Sequence, residues 1–556
     1  VWYTPQPVVN FIVRAVDDIL KTEFGLTQGL ADSSKIKIKV NESGKPIEKE
    51  VHRVQILAPA CGTGTFLAEV IRQVYAKFPG QQGIWPHYAE EHLIPRLNGF
   101  ELLMASYAMA HLKLGLQLKE TGYEDKSNKR LRVYLTNSLE EYHPDTGTLF
   151  AGWLSDEANE ANRVKRDTPV MVVLGNPPYS VSSSNKSKWI EGLLAEYKKD
   201  LNEKNIQPLS DDYIKFIRFG QHFIDKNGSG ILAYISNNSF IDGLIHRQMR
   251  KSLLKSFDKI YILDLHGNAK KKEVCPDGSP DQNVFDIMQG VSINLFIKTS
   301  DSNKPGVVKH VDFFGKRDEK YKNLKENIYS SLSWNCLKPD DLNAFLVPKD
   351  FRMASEYEKG LKVNDLFNVS NIGIATGNDI GLVRMSKNEL ELQYNLKATK
   401  YAYRPFDERY TIIDKKILQR ARYDTMYHLM QPNIALQVTS KNRQLSVGYV
   451  FISKTISDRH LLDSAADSIS VFPLYLYIDS KNNREPNFNQ EILRKIGLSI
   501  KLEFSNEKEE TPGTFAPIDI LDYIYAVLHS PAYRAKNNEF LKIDFPRIPL
   551  TSNDQL

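Results

Sequence analysis

The sequence predicts an α/β protein, a Rossmann-like and mostly parallel doubly wound sheet, followed by a smaller α+β region. Three observations carry this. Strand-length apolar runs alternate with amphipathic, helix-length segments to about residue 315. One of these runs opens into a glycine turn and then a helical pattern. Another, Val170-Met171-Val172-Val173-Leu174, stops at two consecutive prolines. Prolines lack the amide donor and fix φ, so neither strand nor helix continues through them.

In chain order, residues 5–21 have helical periodicity behind a Thr4-Pro5 start. Residues 30–52 are polar and Lys/Ser-rich, and read as an exposed excursion. Strands are expected at 53–58, 97–101, 131–135, 170–175, 229–236, 259–265 and 291–298, with helices at 65–77, 102–119, 211–225 and 244–256. Around 315–350 the composition shifts to Lys, Asp and Asn with Pro339 and Pro348. The expected domains are residues 1–330 and 331–556. In the second, shorter apolar pieces lie between polar turns, at 372–378, 401–406, 446–453 and 470–478.

The composition is that of an ordinary globular protein: 41% hydrophobic and 25% charged over 556 residues. No apolar stretch reaches the roughly 18 residues of a membrane span. Cys61, Cys275 and Cys336 are widely spaced, which suggests neither a disulfide framework nor a zinc site and fits a reducing cytoplasm. The net charge of +5 is compatible with a polyanionic partner. The chain opens at Val1, directly at an apparent functional segment, and reads as part of a longer polypeptide.

The candidate chemistry centres on Asn176-Pro177-Pro178-Tyr179. In open α/β sheets, ligands bind at the carboxyl ends of strands, where this rigid turn falls. The N6 amine of adenine is a poor nucleophile because its lone pair is delocalised into the ring. Two acceptors, the Asn176 side-chain oxygen and the Pro177 carbonyl, can bind its two N–H groups and favour a pyramidal nitrogen. Tyr179 can stack on the base, worth roughly 1–3 kcal/mol. Upstream, the Ala60-Cys61-Gly62-Thr63-Gly64 turn, preceded by Pro59, has a Gly-x-Gly spacing, but Leu67 stands where a dinucleotide fingerprint wants a third glycine. This weakens a pyrophosphate reading and leaves an adenosyl ligand such as S-adenosylmethionine. Glu101, ending the next strand, is suited to ribose hydroxyls. Asn137, ending the third, is either an adenine contact or a turn residue. Tyr3-Thr4-Pro5 can contact the cofactor's methionine end, or Thr4 can simply cap the first helix.

Taken together, these motifs resemble the γ-class of N6-adenine DNA methyltransferases over about residues 1–315. The stretches at 230–240, 283–287, 373–379, 403–409 and 472–475 resemble, more narrowly, the methyltransferase and target-recognition part of single-chain Type ISP restriction–modification enzymes. The resemblance implies a Rossmann-like methyltransferase domain that uses S-adenosylmethionine. It implies a target-recognition domain acting on double-stranded DNA, and a nuclease and ATP-driven translocase upstream in the natural polypeptide. The Asn-Pro-Pro-Tyr turn would then hold a flipped adenine. Many relatives have Asp where this chain has Asn137, which puts its adenine contact in doubt.

Such an enzyme must extrude its base and read a site. Residues 401–450 carry eight Lys/Arg against four Asp/Glu, interleaved with aromatics. Arg404, Arg409, Arg420, Arg422, Lys441 and Arg443 are the candidate DNA contacts, with Lys270-Lys271-Lys272 a further basic loop. The phosphate loop of an ATPase is absent, and Asp156-Glu157-Ala158-Asn159 reads as a coincidental acidic box. Neither Cys61 nor Cys275 fits the thiolate of cytosine C5 methylation. Two alternatives stay open: an amino-group methyltransferase acting on RNA or protein, and a non-catalytic DNA-specificity module.

Overall fold

The computed structural model describes residues 3–42, 45–124, 130–142, 152–203, 205–271, 273–299, 305–349, 353–440, 450–462, 468–478, 483–509 and 511–550. The chain divides into two units, Val1–Pro348 and Lys349–Leu556.

The first unit begins with α1 (Gln6–Phe24), followed by a hairpin of β1 (Lys35–Glu42) and β2 (Lys45–His52). The expected polar excursion is therefore an antiparallel pair, running from Lys35↔His52 to Glu42↔Lys45. Its Lys-Ile-Lys-Ile-Lys-Val alternation has the period of two that a strand requires. Then come β3 (Gln55–Ala58), α2 (Thr65–Tyr75), β4 (Leu97–Glu101), α3 (Met104–Glu120) and β5 (Val133–Leu135). These are followed by α4 (Gly152–Asp167), β6 (Val170–Gly175), α5 (Lys188–Lys198), α6 (Asp212–Asn227) and β7 (Gly230–Asn237). The unit is completed by α7 (Arg247–Ser256), β8 (Lys259–Asp264), β9 (Val291–Lys298), β10 (Val307–Asp312), α8 (Arg317–Glu326) and β11 (Asn335–Leu337).

Nine of these strands form one sheet in the order β11-β10-β8-β9-β7-β6-β3-β4-β5. The run from β7 to β5 is parallel, β9 is antiparallel between β7 and β8, and β11 adds an antiparallel edge. The chain leaves β3 toward β4 and β5, then returns to β6 on the other side of β3. That reversal opens a crevice at the carboxyl ends of β3 and β6. Strands β6, β7 and β9 are buried at every residue, as expected for strands covered on both faces. One core packs α1, α2 and α3 on one face; the other packs α5, α6 and α7 on the opposite face. Each fully buried aliphatic side chain, such as Ile231 or Leu232, contributes about 1.5–3 kcal/mol.

The segment 331–348, assigned to the second domain from composition, joins the first unit. Strand β11 pairs with β10, and the buried Ala344 and Leu346 pack into the α5–α7 core. Helices α4 and α5 lie outside the sequence expectations. On α4 Ala161 and Val164 reach the core, in a helix that is polar on average.

The second unit is α+β. A four-stranded antiparallel sheet takes residues 371–372, 469–473, 435–439 and 450–453 in that order. A hairpin of Ala398–Arg404 with Asp407–Ile412 carries Ile456–Ser457 in parallel on its outer side. Helices Gln490–Ile500 and Pro517–His529 supply much of the core. Among the described residues no helix is long and apolar enough to cross a membrane.

Candidate active site

At the crevice the structure contains a cavity of about 510 Å3, a size usual for small-molecule sites. Its wall includes Tyr3, Thr4, Pro59, Ala60, Cys61, Gly62, Thr63, Glu101 and Asn137, together with Asn176, Pro177, Pro178 and Tyr179. Motifs up to 176 residues apart thus meet in one space. Pro5 and Gly64 do not line it. Pro5 is the N-cap residue of α1, its carbonyl accepting from the Val8 and Val9 amides, and Gly64 is the N-cap residue of α2.

The glycine turn is built by backbone demands. Gly62 and Gly64 sit at φ +57° and +79°, a region that disfavours any side chain. A Cβ on Gly62 would meet nothing within 4 Å, so that face of the turn is open. The Glu101 carboxylate fastens the turn to β4: Oε2 accepts from the Gly62 amide at 2.7 Å, and Oε1 from the Leu102 and Leu103 amides at 3.0 and 2.9 Å. A carboxylate carries about four lone-pair sites, and three are taken by these amides, so acceptor capacity is left for one further hydroxyl. Burial, with Glu101 adding to it, pushes the Cys61 thiol up to about 12. At neutral pH it is therefore a thiol, not a thiolate.

The Asn-Pro-Pro-Tyr turn leaves β6 rigidly, and Asn176 is held at both ends. Its Nδ2 donates to Thr4 Oγ1 at 3.0 Å, and its Oδ1 accepts from the Tyr179 hydroxyl at 3.2 Å. Thr4 therefore serves the Asn176 amide rather than capping α1, which has no side-chain cap. Burial, with Asp211 adding to it, raises the Tyr179 phenol far above its usual range, so it remains a donor. The ring meets Tyr213 edge-on at 6.0 Å.

Asn137 divides its side chain between two roles. Oδ1 accepts from the Leu139 amide at 3.0 Å in a local turn, while Nδ2 donates to Glu140 at 3.0 Å and to Asn185 Oδ1 at 3.2 Å. Asn185 in turn donates to Asp212 Oδ1 at 3.0 Å. Asn185, Asp212, Phe216, Phe285 and Ile287 also line the cavity. Of these, only Phe285 and Ile287 lie in a stretch that the sequence singles out; the polar and small residues of 180–187 give no signal.

Behind the 136–140 turn lies Lys165 of α4. Its ammonium donates to Thr136 Oγ1 at 3.2 Å, to Asn137 O at 2.7 Å and to Glu140 O at 3.2 Å. Burial lowers it to about 8, against an opposing pull from Glu140. As pH rises through 8 the charge is lost and the three bonds weaken. Binding of S-adenosylhomocysteine is therefore expected to fall a fewfold between about pH 7 and 9. Calorimetry across that range checks it, with Lys165→Met expected to bind weakly and without this inflection. The nearby Glu157, part of the supposed acidic box, serves the fold: it accepts from the Leu135 amide at 2.8 Å and pairs with Arg130 at 2.8 Å.

In the second unit, Arg404 lies 3.9 Å and Arg409 4.6 Å from the Tyr403 ring centre. Arg404 also pairs with Asp458, and Arg409 with Asp407. Arg420 is exposed and Arg422 half-buried. Lys441, Arg443, Lys272 and the first part of the 446–453 stretch lie outside the described residues. The group Asp264, His266 and Asp312 is spaced as metal ligands can be. However, both His266 ring nitrogens already face carboxylates, Glu273 at 2.9 Å and Asp312 at 2.8 Å, and together with Asp264 these raise the ring to about 10 against the pull of burial.

A reversing parallel sheet with an antiparallel strand inserted, a glycine turn tied to a strand-end acid, and an α+β unit later in the chain define the class: a methyltransferase fold joined to a specificity domain. Residues 98–270 match the model of the Eco57I restriction-modification methylase family, and residues 376–556 match the Type ISP C-terminal specificity domain. No curated protein matches the chain. Among solved structures, the chain is similar to the ATP-dependent Type ISP restriction-modification enzyme LlaBIII bound to DNA (TM-score 0.76, 23% identity, 99% of this chain and 38% of that one). It is also similar to a nuclease-deletion mutant of the Type ISP enzyme LlaGI with a DNA substrate mimic (0.73, 22%, 99% and 45%) and to the DrdV–DNA complex (0.73, 22%, 99% and 55%). The chain thus spans between 38% and 55% of the length of these proteins. The resemblance read from the motifs is borne out by both family models, and the structures extend the likeness of fold to nearly the whole chain.

Proposed function

We propose that this chain is the modification and specificity part of a restriction–modification enzyme. It transfers a methyl group from S-adenosylmethionine to N6 of an adenine flipped out of duplex DNA. The observation that carries this is the shared wall: Asn176, fixed between Thr4 and Tyr179, lines the same cavity as the glycine turn and Glu101. The first unit is the methyltransferase and the second the target reader. Nuclease and ATP-driven translocase domains upstream, in the same natural polypeptide, belong to this reading; the partial coverage of the matched chains supports it.

The residues fit the cofactor. The open face of the glycine turn would admit an adenosyl group, Glu101 has acceptor capacity left for a ribose hydroxyl, and Tyr3 and Thr4, which line the same cavity, would hold the amino-acid end. When bound, S-adenosylmethionine supplies an electrophilic methyl on a sulfonium. Asn176 Oδ1 keeps a lone pair for one N–H of the adenine amine, and the Pro177 carbonyl accepts the other. Held so, the nitrogen pyramidalises and its lone pair takes the methyl as the sulfur–carbon bond breaks, after which it sheds one proton to solvent. Tyr179 covers the face of the base.

Tritium transfer to duplex DNA, RNA and protein, followed by single-molecule sequencing of the modified DNA, tests this. N6-methyladenine within one recurrent sequence is expected. Label appearing only in RNA or protein, or in cytosine, overturns the reading.

A further inference from the structure

We propose that Phe406 is an apolar wedge that inserts between stacked base pairs of the DNA bound by the second unit. The inference rests on the reading of that unit as a target reader and adds a residue and a mode of contact to it. Arg404 pairs with Asp407 in the hairpin register, which leaves Pro405-Phe406 as a two-residue tip. Phe406 is 100% exposed. Its φ is +63°, a left-handed conformation that disfavours any residue with a Cβ. Two-residue hairpin tips favour Asn, Asp or Gly. This tip instead carries a large ring that touches no core and adopts an unfavourable backbone, a combination folding does not call for.

The base of the tip is built stiffly. Pro405 fixes its own φ. The Tyr403 ring lies close to both the Arg404 and Arg409 guanidiniums, and its hydroxyl donates to Asp379 at 3.0 Å. Arg409 is held bidentately by Asp407 at 2.8–3.1 Å. Two guanidiniums, each already paired with an aspartate, thus brace the base of a rigidly presented aromatic ring. Duplex DNA is the partner that matches a rigidly presented, exposed ring: its stacked bases accept an apolar side chain once a step is opened.

The full chain is titrated onto a 30-base-pair duplex carrying the mapped methylation sequence. 2-Aminopurine replaces one base at a time outside the target adenine. With wild type, a fluorescence rise is expected at one step, where the stack opens. Phe406→Ala is expected to lose that rise and bind about tenfold more weakly, with its salt dependence unchanged, because no phosphate contact is removed. Phe406→Leu, another apolar wedge, is expected to keep part of the signal. The exposed position makes both variants expected to melt like wild type. If Phe406→Ala keeps both signal and affinity, or wild type opens no step, the wedge is overturned while the target-reader assignment stands. If wild type binds no duplex at all, both fall.

Discussion

Asn176→Ala is expected to lower methyl transfer to DNA by about 10²–10³-fold or more at saturating cofactor while leaving the cofactor dissociation constant within about threefold. The magnitude is that of removing one preorganised hydrogen-bonding group aimed at developing charge, about 3–4 kcal/mol of transition-state stabilisation. Asn176 suits this because its orientation is settled before any substrate arrives. Thr4 fixes the amide nitrogen and Tyr179 the oxygen, so little ordering is left for the moment of reaction. The glycine turn is fastened to β4 by other groups, the amides of Gly62, Leu102 and Leu103 on Glu101, none of which touches Asn176. Asn176→Asp keeps an acceptor at the same position and is expected to retain more activity than Ala. Single-turnover transfer of labelled methyl, with calorimetry for cofactor, separates the two effects. Transfer by Asn176→Ala within fivefold of wild type overturns the role assigned to the amide.

Much of this site is legible in the sequence because its parts are local. Strands 97–101, 170–175 and 291–298 can be read to the residue; for 170–175 the reason is plain, since burial on both faces turns it into a continuous apolar run. The two prolines and the paired glycines announce turns by their own stereochemistry. What the chain hides is what folding assembles across distance. Thr4 and Asn176 are 172 positions apart, and nothing in either stretch distinguishes a partner for an amide from a helix cap. Asn185 and Asp212 lie in polar surroundings where one polar side chain resembles another; their significance arises from the bond between them and from Asn185's contact with Asn137. Lys165 escapes for a related reason: α4 is mostly polar, and a buried lysine on a polar helix has no signature until the 136–140 turn is folded against it. The later boundary of the first unit has the same origin. Composition changes near 330, but Leu346 answers to a core that the local sequence does not reveal.

Glu101→Ala is expected to weaken binding of S-adenosylhomocysteine by about 10²-fold, with much smaller loss of transfer once the cofactor saturates. A hydrogen bond to a charged acceptor contributes about 1.5–3 kcal/mol, and a ribose hydroxyl stands to lose its own. The glycine turn is loosened at the same time, because the Gly62 amide loses its acceptor at 2.7 Å. Glu101→Gln discriminates between lost charge and lost shape. A glutamine brings one oxygen and one NH2 to a place where Gly62 donates on one side and Leu102 and Leu103 on the other. Whichever way it turns, a donor faces a donor. The near-isosteric variant is therefore expected to fall close to alanine rather than to wild type. Thermal unfolding offers an independent measure. A bound ligand stabilises by RT ln(1 + [L]/Kd), so a 10²-fold weaker Kd removes about 2.7 kcal/mol of protection at a ligand concentration far above either constant. Wild type should gain melting temperature on addition of S-adenosylhomocysteine by a margin that both variants largely lose. Equal gains in all three proteins would place the cofactor's ribose elsewhere and reduce Glu101 to a fastener of the turn.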